Sequence, residues 1–112
     1  MLDIVRSGQW TEHGAAAYEI LGRDHGAAVT LILEEMPEGR GPRLHSHPYG
    51  ETWTVIAGHG LFTAGDDTVE AGAGDVVYVS AGTPHKFLSL GPEPLRLVCI
   101  HQAPQFHTDW LE

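Results

Sequence analysis

Hydrophobic and polar positions alternate through much of this chain. The stretch "ETWTVIAG" puts Glu51, Trp53 and Val55 on one face and Thr52, Thr54 and Ile56 on the other, the period-two pattern of a half-buried strand. "AAVTLILEEM", Ala27 to Met36, is rich in leucine and β-branched residues and stops at Pro37, which also predicts a strand. "GHG" at 58–60 and "GDD" at 65–67 read as tight turns leading into the strands "LFTA" and "TVEA". "DVVYVS", "HKFLSL" after the turn "AGTP", and "LRLVCIH" after the connector "GPEP" complete the series. No segment sustains a helical apolar period over three turns. The best helical candidate, "TEHGAAAYEIL", is interrupted by Gly14 and opened by no convincing cap. The pattern predicts roughly eight to ten short antiparallel strands, with 1–15 and 102–112 the least decided parts. Such strands must bury two faces or close on themselves, as a jelly-roll or barrel does. An immunoglobulin-like sandwich fits the same pattern.

Composition narrows the class of protein. With 112 residues, of which 42% are hydrophobic, the chain reads as one globular domain spanning 1–112. Fourteen glycines and seven prolines supply the turns that many short strands require. Six basic residues against fifteen acidic ones give a formal charge of −9, which disfavours nucleic acid and anionic membrane surfaces as partners. The single cysteine, Cys99, excludes an internal disulfide. No signal peptide and no apolar run of about 18 residues is visible, so a cytoplasmic location is expected.

The chemistry concentrates in "GRGPRLHSHPYGETWTVIAG", Gly39 to Gly58. Residues i and i+2 of a strand project from one face, about 6.5–7 Å apart, so His45 and His47 can reach one ion together. Pro48, Tyr49 and Gly50 form a bend, and Glu51 then returns a carboxylate to the same point. His85 follows its own Gly-Thr-Pro turn and offers a further imidazole. Three imidazoles and a carboxylate, without a thiolate, suit a first-row transition metal and leave positions open for water, oxygen or substrate.

At these residues the chain resembles the cupins. Their first motif is a glycine, five residues, His-x-His, three or four residues, a glutamate, six residues and a glycine. Gly39, His45, His47, Glu51 and Gly58 match it at every fixed position over 39–58. In the second motif, over 74–89, Gly74, Gly82 and His85 match, while Ser80 stands where proline is usual and Ser89 where asparagine is usual. The resemblance implies an all-β, single-domain jelly-roll barrel with the metal inside its mouth, held by His45, His47, Glu51 and His85. It implies one divalent transition metal, of which iron, manganese, nickel and zinc all fit. It also implies a homodimer, with a small molecule as ligand or substrate. Among activities, it points first to a metal-dependent dioxygenase. The alternatives are a non-catalytic barrel acting as sensor or carrier, and an isomerase, decarboxylase or lyase on the same metal.

Other residues read as follows. His101 shares strand parity with Leu95, Leu97 and Cys99, which makes it either a buried histidine with one backbone partner or a catalytic acid or base in the pocket. Tyr49, Trp53, Phe62 and Phe87 are core aromatics and candidate walls of the substrate pocket, Trp53 and Phe87 because they share faces with Glu51 and His85. His13, His25, His59 and His107 read as surface residues. Arg96 falls on the face opposite His101, and Cys99 reads as an inert core thiol. There is no Gly-rich phosphate loop, nucleophile elbow or Cys-x-x-Cys pair.

Overall fold

The computed structural model describes residues 2–14 and 16–112; Met1 and Ala15, which belong to the expected 1–112 domain, lie outside the described residues. Regular structure is confined to strands and one short 3-10 turn, Gly22–His25, with no α-helix among the described residues. The strands are Thr11–Glu12 (β1), Ala17–Ile20 (β2), Thr30–Met36 (β3), His45–Ser46 (β4), Glu51–Ala57 (β5), His59–Ala64 (β6), Asp67–Gly72 (β7), Val76–Val79 (β8), His85–Ser89 (β9), Leu95–His101 (β10) and Asp109–Trp110 (β11). They form a six-stranded sheet, β1-β2-β3-β10-β5-β8, and a five-stranded sheet, β11-β4-β9-β6-β7. Every pairing is antiparallel. This is the expected all-β jelly roll.

Register fixes what each layer of the interior contains. Across the six-stranded sheet the inward rows are Thr30–His101–Glu51–Val79, then Ile32–Cys99–Trp53–Val77, then Glu34–Leu97–Val55. In the facing sheet, one row runs Trp110–His45–His85–Ala64 and the next pairs Phe87 with Phe62. The polar row of each sheet therefore meets the polar row of the other. Beneath them the aromatic rows form a dry floor, with Trp53, Phe62 and Phe87 all at least 96% buried, as 0%, 1% and 4% of their surfaces stay exposed. Ring centroids of 5.2 Å for Trp53–Phe62 and 5.4 Å for Trp53–Phe87 are ordinary aromatic packing distances.

Three details differ from the sequence expectation. "TEHGAAAYEIL" supplies β1 and β2, because β2 pairs with β3 and lays Tyr18 beside Leu33 and Ile20 beside Leu31. Sheet pairing here overrides the local helical preference of the alanines. The turn expected at 58–60 is confined to Gly58, and His59 and Gly60 already belong to β6. Gly58 has φ 81°, and a Cβ there would stand 2.5 Å from the Pro94 carbonyl oxygen, so only glycine fits. Finally, β3 begins at Thr30 rather than Ala27, and three of the eleven strands are two-residue bridges too short to show a pattern.

Candidate metal centre

His45, His47, Glu51 and His85 converge between the two sheets. One ligand atom from each lies within 4.8 Å of the others, and all four residues are buried. His45 comes from β4 and His85 from the start of β9, directly opposite each other in register. Glu51 opens β5, and His47 follows β4 in the loop between them. The Gly82 amide, at φ 76°, donates to the His47 carbonyl at 2.8 Å. The turn that delivers His85 therefore also pins the backbone of His47.

Each ligand imidazole is oriented from behind. Nδ1 of His45 contacts the Arg43 carbonyl at 2.7 Å, that of His85 the Thr83 carbonyl at 2.7 Å, and that of His47 the His107 carbonyl at 2.8 Å. A carbonyl only accepts, so each Nδ1 carries the proton and each Nε2 turns a lone pair inward. Glu51 Oε1 stands 3.1 Å from His85 Nε2 and 3.2 Å from His47 Nε2. His47 Nε2 is nonetheless buried without a hydrogen bond, the Glu51 contact being misaligned. Donor atoms of this kind, crowded in a dry space, fit a divalent cation. Metal–nitrogen and metal–oxygen bonds of about 2.0–2.2 Å set opposite ligands a little over 4 Å apart, the scale of this cluster.

The other oxygen of Glu51 is held separately. Trp53 Nε1 donates to Oε2 at 2.8 Å, and His101 Nε2 lies 3.3 Å from the same atom. His101 Nδ1 lies 2.9 Å from the Tyr49 hydroxyl, and the Tyr49 ring stacks on His47 with 5.0 Å between centroids. Burial raises the Glu51 pKa, but hydrogen bonding, that with His101 first, outweighs it and holds the carboxyl well below its usual range. Burial lowers His45 to about 4 despite its bond to the Arg43 carbonyl, and the neighbouring imidazoles add to the drop. Both are in the ligating form at neutral pH. Burial pushes the Cys99 thiol well up, consistent with an inert core residue.

A cavity of about 60 Å3 opens over the cluster. Of the expected aromatic walls it meets only Phe87. Trp53 and Phe62 pack one layer deeper, and Tyr49 braces His47 and His101 from the side. The walls are completed by Ile32, Glu34, Pro42, Phe106 and Trp110, with His101 at the floor and His13 and Thr108 at the rim. His13 is exposed, as expected, and stands at this mouth with its ring 4.9 Å from that of Phe106. His59 is exposed, His25 pairs with Asp3, and Arg96 pairs with Glu35 outside the barrel at 3.1 Å. Glu34 was legible in principle, since it continues the inward Thr30–Ile32 alternation. Phe106, Thr108 and Trp110 lie in a segment with no alternation to reveal them.

Fold and centre together define a double-stranded β-helix with a buried three-histidine, one-glutamate cluster. The model of the Cupin domain matches residues 32–101, and the chain belongs to that family. An uncharacterized protein of Methanocaldococcus jannaschii is 31% identical over 102 residues, covering 88% of this chain and 82% of that protein. Among solved structures, a conserved protein with a double-stranded β-helix domain from Klebsiella pneumoniae superposes with a TM-score of 0.78 at 21% identity, over 100% of this chain and 99% of the other. Oxalate decarboxylase of Bacillus subtilis, which has Mn(II) centres, superposes with a TM-score of 0.81 at 23% identity. That match covers 91% of this chain and 29% of the decarboxylase.

Two outcomes follow from the geometry. Replacing Trp53 by phenylalanine removes the donor to Glu51 Oε2 and should weaken Zn(II) affinity about tenfold, the usual scale for a group that orients a ligand; competition with a chromophoric chelator measures it. Acid should destabilise the chelated protein. His45 and Glu51 are depressed in the folded state, so the unfolded chain takes up their protons first. The stability due to His45 is complete above about 6.5 and is lost as pH falls toward 4, that due to Glu51 below its unfolded 4.5. The urea midpoint at about pH 5, inside the His45 window, should therefore lie below that at about pH 7.5.

Proposed function

We propose that this protein is a metal-dependent enzyme of the oxidoreductase class, acting with O2 on a small organic molecule. The observation that carries this reading is the juxtaposition of inward-facing Nε2 lone pairs with a small cavity that only a few residues close. A ligand set of four leaves positions on a five- or six-coordinate metal, and the cavity is where they would open. When bound, such a metal supplies Lewis acidity and, if redox-active, electron transfer to oxygen. The chain's own residues orient the ligands through backbone carbonyls, hold Glu51 through Trp53 and His101, and exclude bulk water with Phe87, Phe106 and Trp110. His101 is the residue placed to hold or move a proton, between the Tyr49 hydroxyl and Glu51 Oε2.

A second reading, decarboxylation without net oxygen consumption, is supported by the superposition on oxalate decarboxylase. The centre takes one divalent ion, with Mn(II) and Fe(II) the first candidates. Oxygen uptake by protein reconstituted with each ion, against a library of small diols, diketones, thiols and oxoacids, tests the first reading. CO2 release without oxygen uptake would favour the second. A ligand recovered unchanged from native mass spectrometry after aerobic incubation, with no turnover of any compound, would instead identify a carrier. His47→Ala should abolish metal binding while circular dichroism stays that of the folded barrel. Full metal content in that variant would sink the ligand assignment.

The outer face of the six-stranded sheet supports a homodimer as the assembly. Ile20, Leu31 and Ile100 form one row there and Tyr18, Leu33 and Val98 the next, with Val76 and Tyr78 further along. Tyr78 is 78% exposed and Val76 46%. Apolar side chains on β2, β3, β10 and β8, with Thr52 and Thr54 of β5 between the last two, are costly to leave in water. Sedimentation at micromolar concentration should show a dimer. Val98→Glu should yield a folded monomer with unchanged metal content; a monomeric parent protein would refute the assembly.

A further inference from the structure

Glu34 is a carboxyl group without a structural task. It stands on the inward face of β3, in register with Ala17 on one side and Leu97 on the other. Its Oε2 atom is buried and hydrogen-bonds to nothing. The titratable groups around it offer no counter-charge of the ordinary kind. His13, just after β1, is engaged with Glu19 at 3.4 Å. β10 contributes Cys99 and His101, β5 contributes Glu51, and His45 and His47 complete the cavity wall. No lysine or arginine lines the cavity among the described residues. Burial, and then the charge of Glu51, push the Glu34 pKa up to about 8. Burial, the larger cause and the one that does not depend on Glu51, favours the protonated acid, with an O–H to donate.

An unpartnered buried carboxyl oxygen on a half-buried residue costs stability, and such costs persist where a site needs the group. Glu34 lines the same cavity as the metal-ligand cluster. We propose that Glu34 is the specificity-determining residue of the cavity, donating a hydrogen bond to the outward oxygen of a small monoanion whose other oxygen faces the metal. The ligand class follows from charge. A divalent ion with Glu51 as its one anionic ligand leaves a single positive charge, and a neutral Glu34 adds none. A short hydroxy acid or oxoacid carries the one negative charge and the second acceptor oxygen that this arrangement takes, and its size suits a space of about 60 Å3. This inference rests on the metal centre proposed above.

The test uses Mn(II)-loaded protein with glycolate as the probe, binding being read from water-proton relaxation. Glu34→Leu should weaken glycolate about tenfold, the scale of one lost hydrogen bond to a charged partner. Glu34→Gln, which keeps a donor, should stay within about threefold. Fluoride, a single atom that reaches the metal but not residue 34, should bind all three proteins alike. Glu34→Leu should also raise Tm by about 5 °C, because the unsatisfied oxygen is gone. Equal glycolate affinity in the leucine variant, no glycolate binding by the parent, or a fall in Tm would each overturn the proposal. Elemental analysis of the same samples separates these from failure of the centre itself: a parent protein that binds no Mn(II) refutes the metal reading, and this one with it.

Discussion

The structure depends on a repulsion that the protein does not resolve with its own atoms. Three Nε2 lone pairs and a carboxylate oxygen face one another in a dry space, and each imidazole is locked in that posture by a carbonyl behind it. Only a cation placed among them makes the arrangement favourable, since burial keeps a proton off His45 until the pH falls to about 4. At neutral pH an arriving cation therefore meets His45 and Glu51 already deprotonated. A metal held there would act as part of the folding energetics, since the unfolded chain cannot assemble the cluster.

What makes the cluster affordable is the layer beneath it. Trp53 belongs to two systems: its ring packs on Phe62 and Phe87, while its indole nitrogen holds Glu51. Core rigidity is thereby transmitted to the ligand carboxylate through one side chain. The departures in the second motif do not disturb this. Ser80 hydrogen-bonds Thr83 at 2.7 Å inside the turn that delivers His85, and Ser89 exchanges backbone bonds with the Gly39–Arg40 corner, accepting from Gly39 and donating to Arg40 at 2.9 Å each. The first residue of one motif and the last of the other are thus tied together.

The sequence made the strands and the ligands legible for a physical reason. Alternation is strong where one face is buried, as in β5 and β10, and the ligands sit at turns whose glycines and prolines announce them. It failed where structure comes from distant partners. The β1–β2 hairpin forms because β3 offers an edge, and the walls at Phe106 and Trp110 exist because a two-residue bridge docks the final segment onto β4. The aromatics Trp53 and Phe62 were expected at the cavity because parity reveals a face but not a depth. They share the inward face with the cluster yet sit one row below the space above it. Glu34 was overlooked because a glutamate in "LILEEM" reads as the polar end of a strand, although its parity with Thr30 and Ile32 points inward.

Strand order has a consequence for the life of the protein. β10 is threaded between β3 and β5, so the six-stranded sheet cannot close until residue 101 is available, although every ligand has been synthesised by residue 85. His47 waits longer still, for the carbonyl of residue 107. During synthesis the emerging chain thus carries a histidine-rich segment with no finished cage. A metal held at this centre would be gripped by its full set of ligands only in the released, folded protein.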